Sequence, residues 1–302
     1  MLVADAAWAG QTENRKQGGS MASTFRSRRL GADLRELREK SGIGSEAVAE
    51  EMGFSRPKLS RIEGGEVRVS KNDLKALLHL YGVDDKARQE AFFQAAREAH
   101  KHGWWRAYQD TLPRTYSEYI SLEADAVEIK NFEPILIPGL LQTEAYTRAV
   151  IHTNPAVLPP ADIDERVKVI RERQTVLERK SPARLWAVIG ESAIRQTVGG
   201  VNVMREQLTH LSGMTAYQHI VIQVLPHTAG AHAGLTGAFV VFGLPQDPSV
   251  VCVENMTGTL YMDSPGERQS YGDAFDHLRA AALNPADSFA LIQRVAEEMR
   301  EE

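Results

Sequence analysis

Between Leu30 and Val83 four short amphipathic patterns follow one another with almost no chain between them, and that spacing leaves few folds open. In LGADLRELREKSG, Leu30, Leu34 and Leu37 recur at three- and four-residue intervals, while Arg35, Glu36, Arg38, Glu39 and Lys40 take the other face. The spacing predicts a helix that Gly42 stops. A second helix of barely two turns opens at Ser45, with Ala47, Val48, Ala49 and Met52 expected inside, and ends at Gly53. Ser55 is a natural N-cap for Arg56 to Glu63, Pro57 falls in the first turn where a missing N–H costs little, and Gly64-Gly65 end the run. Ser70 caps a fourth helix, with Asp73 three residues on and Leu74, Leu77, Leu78 and Tyr81 as its buried stripe.

Two short helices joined by a glycine turn inside such a unit make a helix-turn-helix, whose second helix enters the major groove with its N-terminal residues toward the base edges. That helix is Arg56 to Glu63. Ser55, Arg56, Lys58 and Ser60, with Arg61 one turn on, supply donors for phosphate oxygens and guanine edges. Arg26, Arg28 and Arg29 form a short basic arm that would touch DNA beside it. Residues 26 to 82 carry net charge +3 and residues 83 to 302 carry −8, within a chain total of −5. A mildly basic module on an acidic body suits specific, paired binding better than coating of DNA, because the body repels phosphate. A pseudo-palindromic double-stranded operator and a homodimer are therefore expected.

The pattern Leu34, Leu37, Arg38, Ala49, Gly53, Ser55, Leu59, Ser60, Arg61, Glu63 and Gly65 resembles the Xre/Cro-type, lambda-repressor-like helix-turn-helix family. The resemblance implies that Glu63 serves the fold by pairing with a first-helix arginine, Arg35 or Arg38. Many members carry glutamine just after the cap of the second helix, gripping phosphate. This chain has Glu46 there, a departure, since an acidic side chain repels phosphate.

At 302 residues, 43% hydrophobic and 25% charged, the chain is long enough for two globular domains. The expected division is a disordered tail over 1–25, the helix-turn-helix domain over 26–83, a helical connector over 84–103 and an α+β domain over 104–302. The tail is rich in Ala, Gly, Gln and Ser without periodicity. The internal Met21 opens the basic MASTFRSRR and is a second candidate for the translation start beside Met1. No apolar run approaches 18 residues and no basic-then-apolar leader opens the chain, so a cytoplasmic protein with no membrane contact is expected. The single cysteine, Cys252, lies in an apolar strand-like run and should be buried.

The connector helix, Asp84 to Lys101, turns Ala87, Phe92, Ala95, Ala96 and Ala99 to one side before Gly103 ends it. Trp104, Trp105, Tyr108, Tyr116 and Tyr119 then fall within sixteen residues, a density that suggests a ligand or partner surface or a seam between domains. From Tyr116 a helical face continues through Ile120, Ala124, Val127 and Ile129, and breaks at PILIPGLLQT. Helices follow over Leu140–Ile151 and, more polar, over Asp162–Lys180, where Arg171 and Arg173 read as solvated. Beyond Pro182 the period becomes strand-like over 185–189, 220–225, 238–244, 250–253 and 259–262. Helices over 201–211, 266–283 and 286–299 complete an α+β body with an antiparallel or mixed sheet of about five strands flanked by helices.

Nucleophile elbows, phosphate loops and His-Glu-x-x-His are absent from the sequence, so no enzyme, cofactor or metal is expected. The best polar candidates are Glu191, Glu254, His227 and His232, with Arg173 and Arg195 as anion binders. Phe132-Glu133-Pro134, Ile137-Pro138-Gly139-Leu140-Leu141-Gln142-Thr143, Tyr146, Arg173-Gln174, Glu191, Arg195, Gln207, Val224-Leu225-Pro226 and Gly230-Ala231-His232 resemble the C-terminal domain of actinobacterial Xre-type regulators described as toxin–antitoxin-like. That resemblance implies a small protein partner encoded by a neighbouring gene, and an antitoxin-like, autoregulating role. The alternative is a metabolite sensor whose pocket is lined by the Trp104 to Tyr119 aromatics and anchored by an arginine. Least favoured is an enzyme tethered to DNA.

Overall fold

The computed structural model describes residues 24–99, 104–108, 114–153, 159–245, 248–255 and 258–299, in two compact units that divide between Ala107 and Tyr108. The expectations for residues 1–23, including the candidate start at Met21, and for the connector end at Lys101 to Gly103 lie outside the described residues. Thr24 and Phe25 do not belong to a tail: the Thr24 hydroxyl caps a first helix, accepting from the Ser27 amide.

Among the described residues the N-terminal unit holds five α-helices, α1 (Phe25–Ser41), α2 (Ser45–Glu51), α3 (Arg56–Glu63), α4 (Lys71–Leu80) and α5 (Lys86–Glu98). Gly42 closes α1 in the left-handed conformation at φ 73°. Ser55, Ser70 and Asp85 each accept from the amide three residues on, which fixes where α3, α4 and α5 begin. Ala47 was expected inside but is exposed: a two-turn helix offers the core one narrow face, and Val48 and Ala49 occupy it. Those two join Leu30, Leu34, Leu37, Leu59, Ile62, Leu74, Leu77, Leu78 and Val83 in one core, against which Phe92, Phe93, Ala95 and Ala96 of α5 pack. The helix read as a connector thus closes the N-terminal core as a fifth layer.

The C-terminal unit holds α6 (Arg114–Asp125), β1 (Glu128–Glu133), α7 (Glu144–Ile151), α8 (Pro160–Gln174), β2 (Arg184–Gly190), α9 (Glu191–Arg195), α10 (Val201–Met214) and β3 (Ile220–Leu225). It continues with β4 (Phe239–Gly243), β5 (Val250–Asn255), β6 (Gly258–Met262), α11 (Pro265–Ala281) and α12 (Pro285–Glu298). Six strands form a mixed sheet in the order β3-β2-β1-β4-β5-β6. β1 and β3 flank β2 in parallel, and β1, β4, β5 and β6 run antiparallel in turn. The sheet core contains Phe132, Val188, Phe239, Val251, Phe275 and Leu278.

The helix expected to run from Tyr116 through Ile129 stops at Asp125, because the Val127 amide donates to the Gly243 carbonyl and starts the sheet ladder. Val127 is exposed, and Ile129 is buried in β1, the strand missing from the expected five. Pairing on both sides places β1 at the middle of the sheet. The loop that follows it is buried, so its backbone needs partners. Gln142 donates to the Ile137 carbonyl and accepts from Thr147, Gln174 donates to the Gly139 and Gln142 carbonyls, and Gln207 donates to Leu141 while accepting from the Thr143 amide. On the opposite edge of the parallel half, the Leu283 amide and the Ser288 hydroxyl occupy the outer carbonyl and amide of Val224. Among the described residues no helix is long and apolar enough to cross a membrane.

Candidate nucleic-acid interface

The candidate reading helix α3 is held at both ends. At its start Ser55 Oγ accepts from the Lys58 amide at 3.3 Å, and Pro57 fixes the first turn. At its end Glu63 receives a bidentate pair from Arg38 of α1, Nε to Oε1 at 2.7 Å and Nη2 to Oε2 at 3.0 Å, on side chains only 12% and 9% exposed. Hydrogen bonding to Glu63 raises the Arg38 pKa. Of the two arginines the resemblance allowed for this role, Arg35 is spent on Glu39 along the exposed face of α1. Between these anchors Leu59 and Ile62 are buried, and Ser55, Arg56, Ser60 and Arg61 face solvent. Ser55→Ala is expected to cost about 1 kcal/mol, as N-cap losses do; thermal unfolding of the N-terminal unit is the measurement.

The exposed cations of α3 are not alike. Arg56 Nη2 lies 2.8 Å from Glu46 Oε1 in the first turn of α2, with both side chains about two-thirds or more exposed. Lys58 Nζ stands 3.6 Å from the centre of the Phe54 ring and 3.5 Å from Asp73 Oδ2, half-withdrawn from solvent. Arg61 turns back along its own helix, Nε donating to the Pro57 carbonyl at 3.2 Å. The acids Glu46 and Asp73 were legible only as a departure from a pattern and as a cap residue. Their partners lie ten and fifteen positions away, beyond any helical periodicity.

Arg26, Arg28 and Arg29 lie in the first turns of α1, so the basic arm is a helix. The Ser27 hydroxyl donates to the Gly65 carbonyl at 2.8 Å, which sets these arginines beside the C-terminal end of α3. An eight-residue helix spans roughly 12 Å, so they stand about that far from its reading end.

The five aromatics singled out in the sequence are divided between the two units. Trp104 and Trp105 meet edge to face at 6.1 Å in the N-terminal unit, both half-buried, as Tyr108 is in the C-terminal unit. Tyr119 is 1% exposed and packs edge to face on Phe242 at 5.0 Å, inside the core and closed to any ligand or partner. Tyr116 stacks on it at 6.4 Å and its hydroxyl accepts from Arg173 Nη1 at 2.7 Å.

Arg173 was read as solvated and is buried, its side chain 1% exposed against 2% for Glu123. Two parallel hydrogen bonds at 2.7 and 2.8 Å join them, and the guanidinium lies over both tyrosine rings. Burial opposes its charge and the facing carboxylate overcomes it, so its pKa stands well above the ordinary value. With both forks engaged it offers an incoming anion nothing. Arg195 is tied to Glu191 at 2.7 Å and to Glu298 at 3.1 Å. Cys252 is buried as expected, and burial pushes its thiol up.

The remaining polar candidates are split. His227 Nε2 lies 2.9 Å from Ser192 Oγ, but its Nδ1 is 3.7 Å from Glu191 Oε2, outside hydrogen-bond reach, and the ring is 60% exposed. Glu191 accepts instead from the His227 amide. His232 takes the Gly234 amide on Nδ1 and sits edge-on to Phe132. The two imidazoles serve different neighbours. Glu254 lies on β5 opposite Thr259. Thr143, Asn202, Arg205, Glu206, Thr209 and His210 line an open groove of about 560 Å³ between α7 and α10.

A capped reading helix, its predecessor at a tight turn and an ion pair binding it to α1 define a helix-turn-helix protein of the DNA-binding regulator type. Residues 29–91 match the family model of the helix-turn-helix domain, and residues 116–294 match that of a domain of unknown function (DUF5753). The second match spans more than half of the chain, and the chain belongs to that family. No curated protein and no solved structure matches it.

Proposed function

We propose that this chain is a sequence-specific transcription regulator of Xre type that binds a pseudo-palindromic operator as a homodimer, α3 of each copy entering one major groove. The observation that carries the reading is α3 itself, anchored at its far end by Arg38–Glu63 and presenting Ser55, Arg56, Lys58, Ser60 and Arg61 at its near end. Arg56 is the base reader, with Ser55 and Ser60 hydrogen-bonding nearby and Lys58 and Arg61 serving the backbone. The acidic C-terminal unit serves dimerisation and binds a small protein partner in an antitoxin-like, autoregulating arrangement without catalysis. The groove between α7 and α10 keeps a second reading in view, a metabolite sensor that holds its ligand there instead of among the aromatics.

Arg56→Ala is expected to lower operator affinity by about 1 to 3 kcal/mol, the value of a bidentate arginine–guanine contact, with the fold unchanged. Arg28→Ala and Arg29→Ala, at the other end of α3, should change it by less than about 0.5 kcal/mol, as surface substitutions remote from a site do. Fluorescence anisotropy on the operator recovered by genome-wide capture measures all three; equal losses at Arg56 and Arg28 would reject this orientation of α3. A monomeric mass together with a single half-site footprint would reject the dimer. Co-purification of the neighbouring gene product, or a shift in unfolding temperature with a metabolite, separates the two readings of the body.

A further inference from the structure

We propose that Glu46 is a positioning residue for base reading: its carboxylate clamps the Arg56 guanidinium and thereby sets which base each half-site requires at one position. This inference rests on the assignment of α3 as the reading helix. The clamp is the 2.8 Å contact between Glu46 Oε1 in the first turn of α2 and Arg56 Nη2 at the first residue of α3. The two residues come from the two helices of the motif and meet at the end of α3 that faces DNA.

In solution such an exposed pair contributes little, because water screens it and two long side chains must be ordered. In the groove water is excluded, the same contact strengthens, and a free arginine becomes an aimed one. A guanidinium has five donors, so one edge can stay on Glu46 while another addresses guanine O6 and N7. The neighbouring cations cannot replace it. Lys58 is drawn onto Phe54 and Asp73, and Arg61 folds back onto Pro57.

The carboxylate has a second effect of opposite sign. In the first turn of α2, one residue beyond the position that directly follows the Gly44 cap, its charge repels the phosphate backbone that the motif crosses. Glu46 therefore lowers affinity for every duplex while sharpening choice among them, which is discrimination gained by penalising the wrong complex.

The test is binding-site selection from random duplexes by the full-length chain and by Glu46→Gln, Glu46→Asp and Arg56→Ala, with affinities for one unrelated duplex measured alongside. The wild type should prefer one base pair per half-site by on the order of tenfold or more at the Arg56 position. Glu46→Gln should bind the unrelated duplex severalfold more tightly and lose most of that preference, leaving other positions unchanged. Glu46→Asp keeps the charge on a shorter arm, and should lose the preference with no gain for the unrelated duplex. Arg56→Ala should lose the same position, and adding Glu46→Gln to it should change that position no further. Because the Glu46 side chain is 68% exposed, these variants leave the folded unit intact, and circular dichroism melting checks this. Retention of the wild-type preference by Glu46→Gln, or a uniform change at all positions, overturns the clamp while leaving the reading helix in place. A wild type that selects no motif overturns the reading-helix assignment and the clamp with it.

Discussion

Glu123→Ala is expected to destabilise the C-terminal unit by about 3 to 5 kcal/mol, the cost of leaving one partner of a buried ion pair without the other. Arg173 is nearly sealed from water and its charge is sustained by the two carboxylate oxygens of Glu123 at 2.7 and 2.8 Å. The Tyr116 hydroxyl and the faces of Tyr116 and Tyr119 stay in place but supply no negative charge. Burying an unpaired guanidinium then removes a large share of a domain's margin, which is only about 5 to 15 kcal/mol. Urea unfolding followed by circular dichroism measures the loss. Replacing both members by apolar residues of similar volume, Glu123→Leu with Arg173→Met, should recover most of it, since paired removal is often neutral. A single variant that loses less than about 1 kcal/mol, roughly a quarter of the expected effect, would show that Arg173 finds water or another acid.

Gly65→Ala is expected to be as severe in the N-terminal unit, with a loss of about 4 kcal/mol or more and no operator binding at ordinary temperature. Gly65 holds φ +67°, and a Cβ there would sit 2.5 Å from the Arg28 backbone nitrogen, so α1 would be forced away from the end of α3. Gly42→Ala is the control. It shares the left-handed conformation at φ +73° with nothing within 4 Å, so it bears the conformational cost alone, about 1 to 2 kcal/mol. Thermal unfolding of the two variants separates strain from contact; equal losses would mean that the backbone yields at Gly65 and the helix pair is not closely seated.

The N-terminal unit was legible because its signals are local. Ser55, Pro57 and Gly64 bracket α3 within a few residues, and helix limits at Arg56 and Glu63 follow from capping alone. What escaped there is long-range: α5 looks like a connector until Phe92 and Phe93 are seen against the core of the other four helices. In the C-terminal unit the same contrast is sharper. Strand β3 carries an unbroken apolar run and was placed at its observed limits, Ile220–Leu225. Strand β1, Glu-Ile-Lys-Asn-Phe-Glu, buries Asn131 and Glu133 as well as Ile129 and Phe132, and its mixed composition continued the period of α6. Arg173 misled for a related reason: a charged stretch reads as solvated, and Glu123, which makes burial tolerable, lies 50 residues earlier. Pairings of this length leave no trace in spacing.

The partnered state of the α3 cations has a bearing on ionic conditions. Condensed counterions leave DNA in proportion to the cations a protein newly brings to phosphate, and that number sets how steeply the association constant falls with salt. Arg56 keeps an edge on Glu46 while it addresses a base, and Lys58 shares its charge with Asp73, so neither adds a whole new cation to the phosphate count. Binding by this helix should therefore decline gently as salt rises, its strength drawn from fit in the groove, so that operator occupancy is buffered against swings in the ionic strength of the surrounding medium.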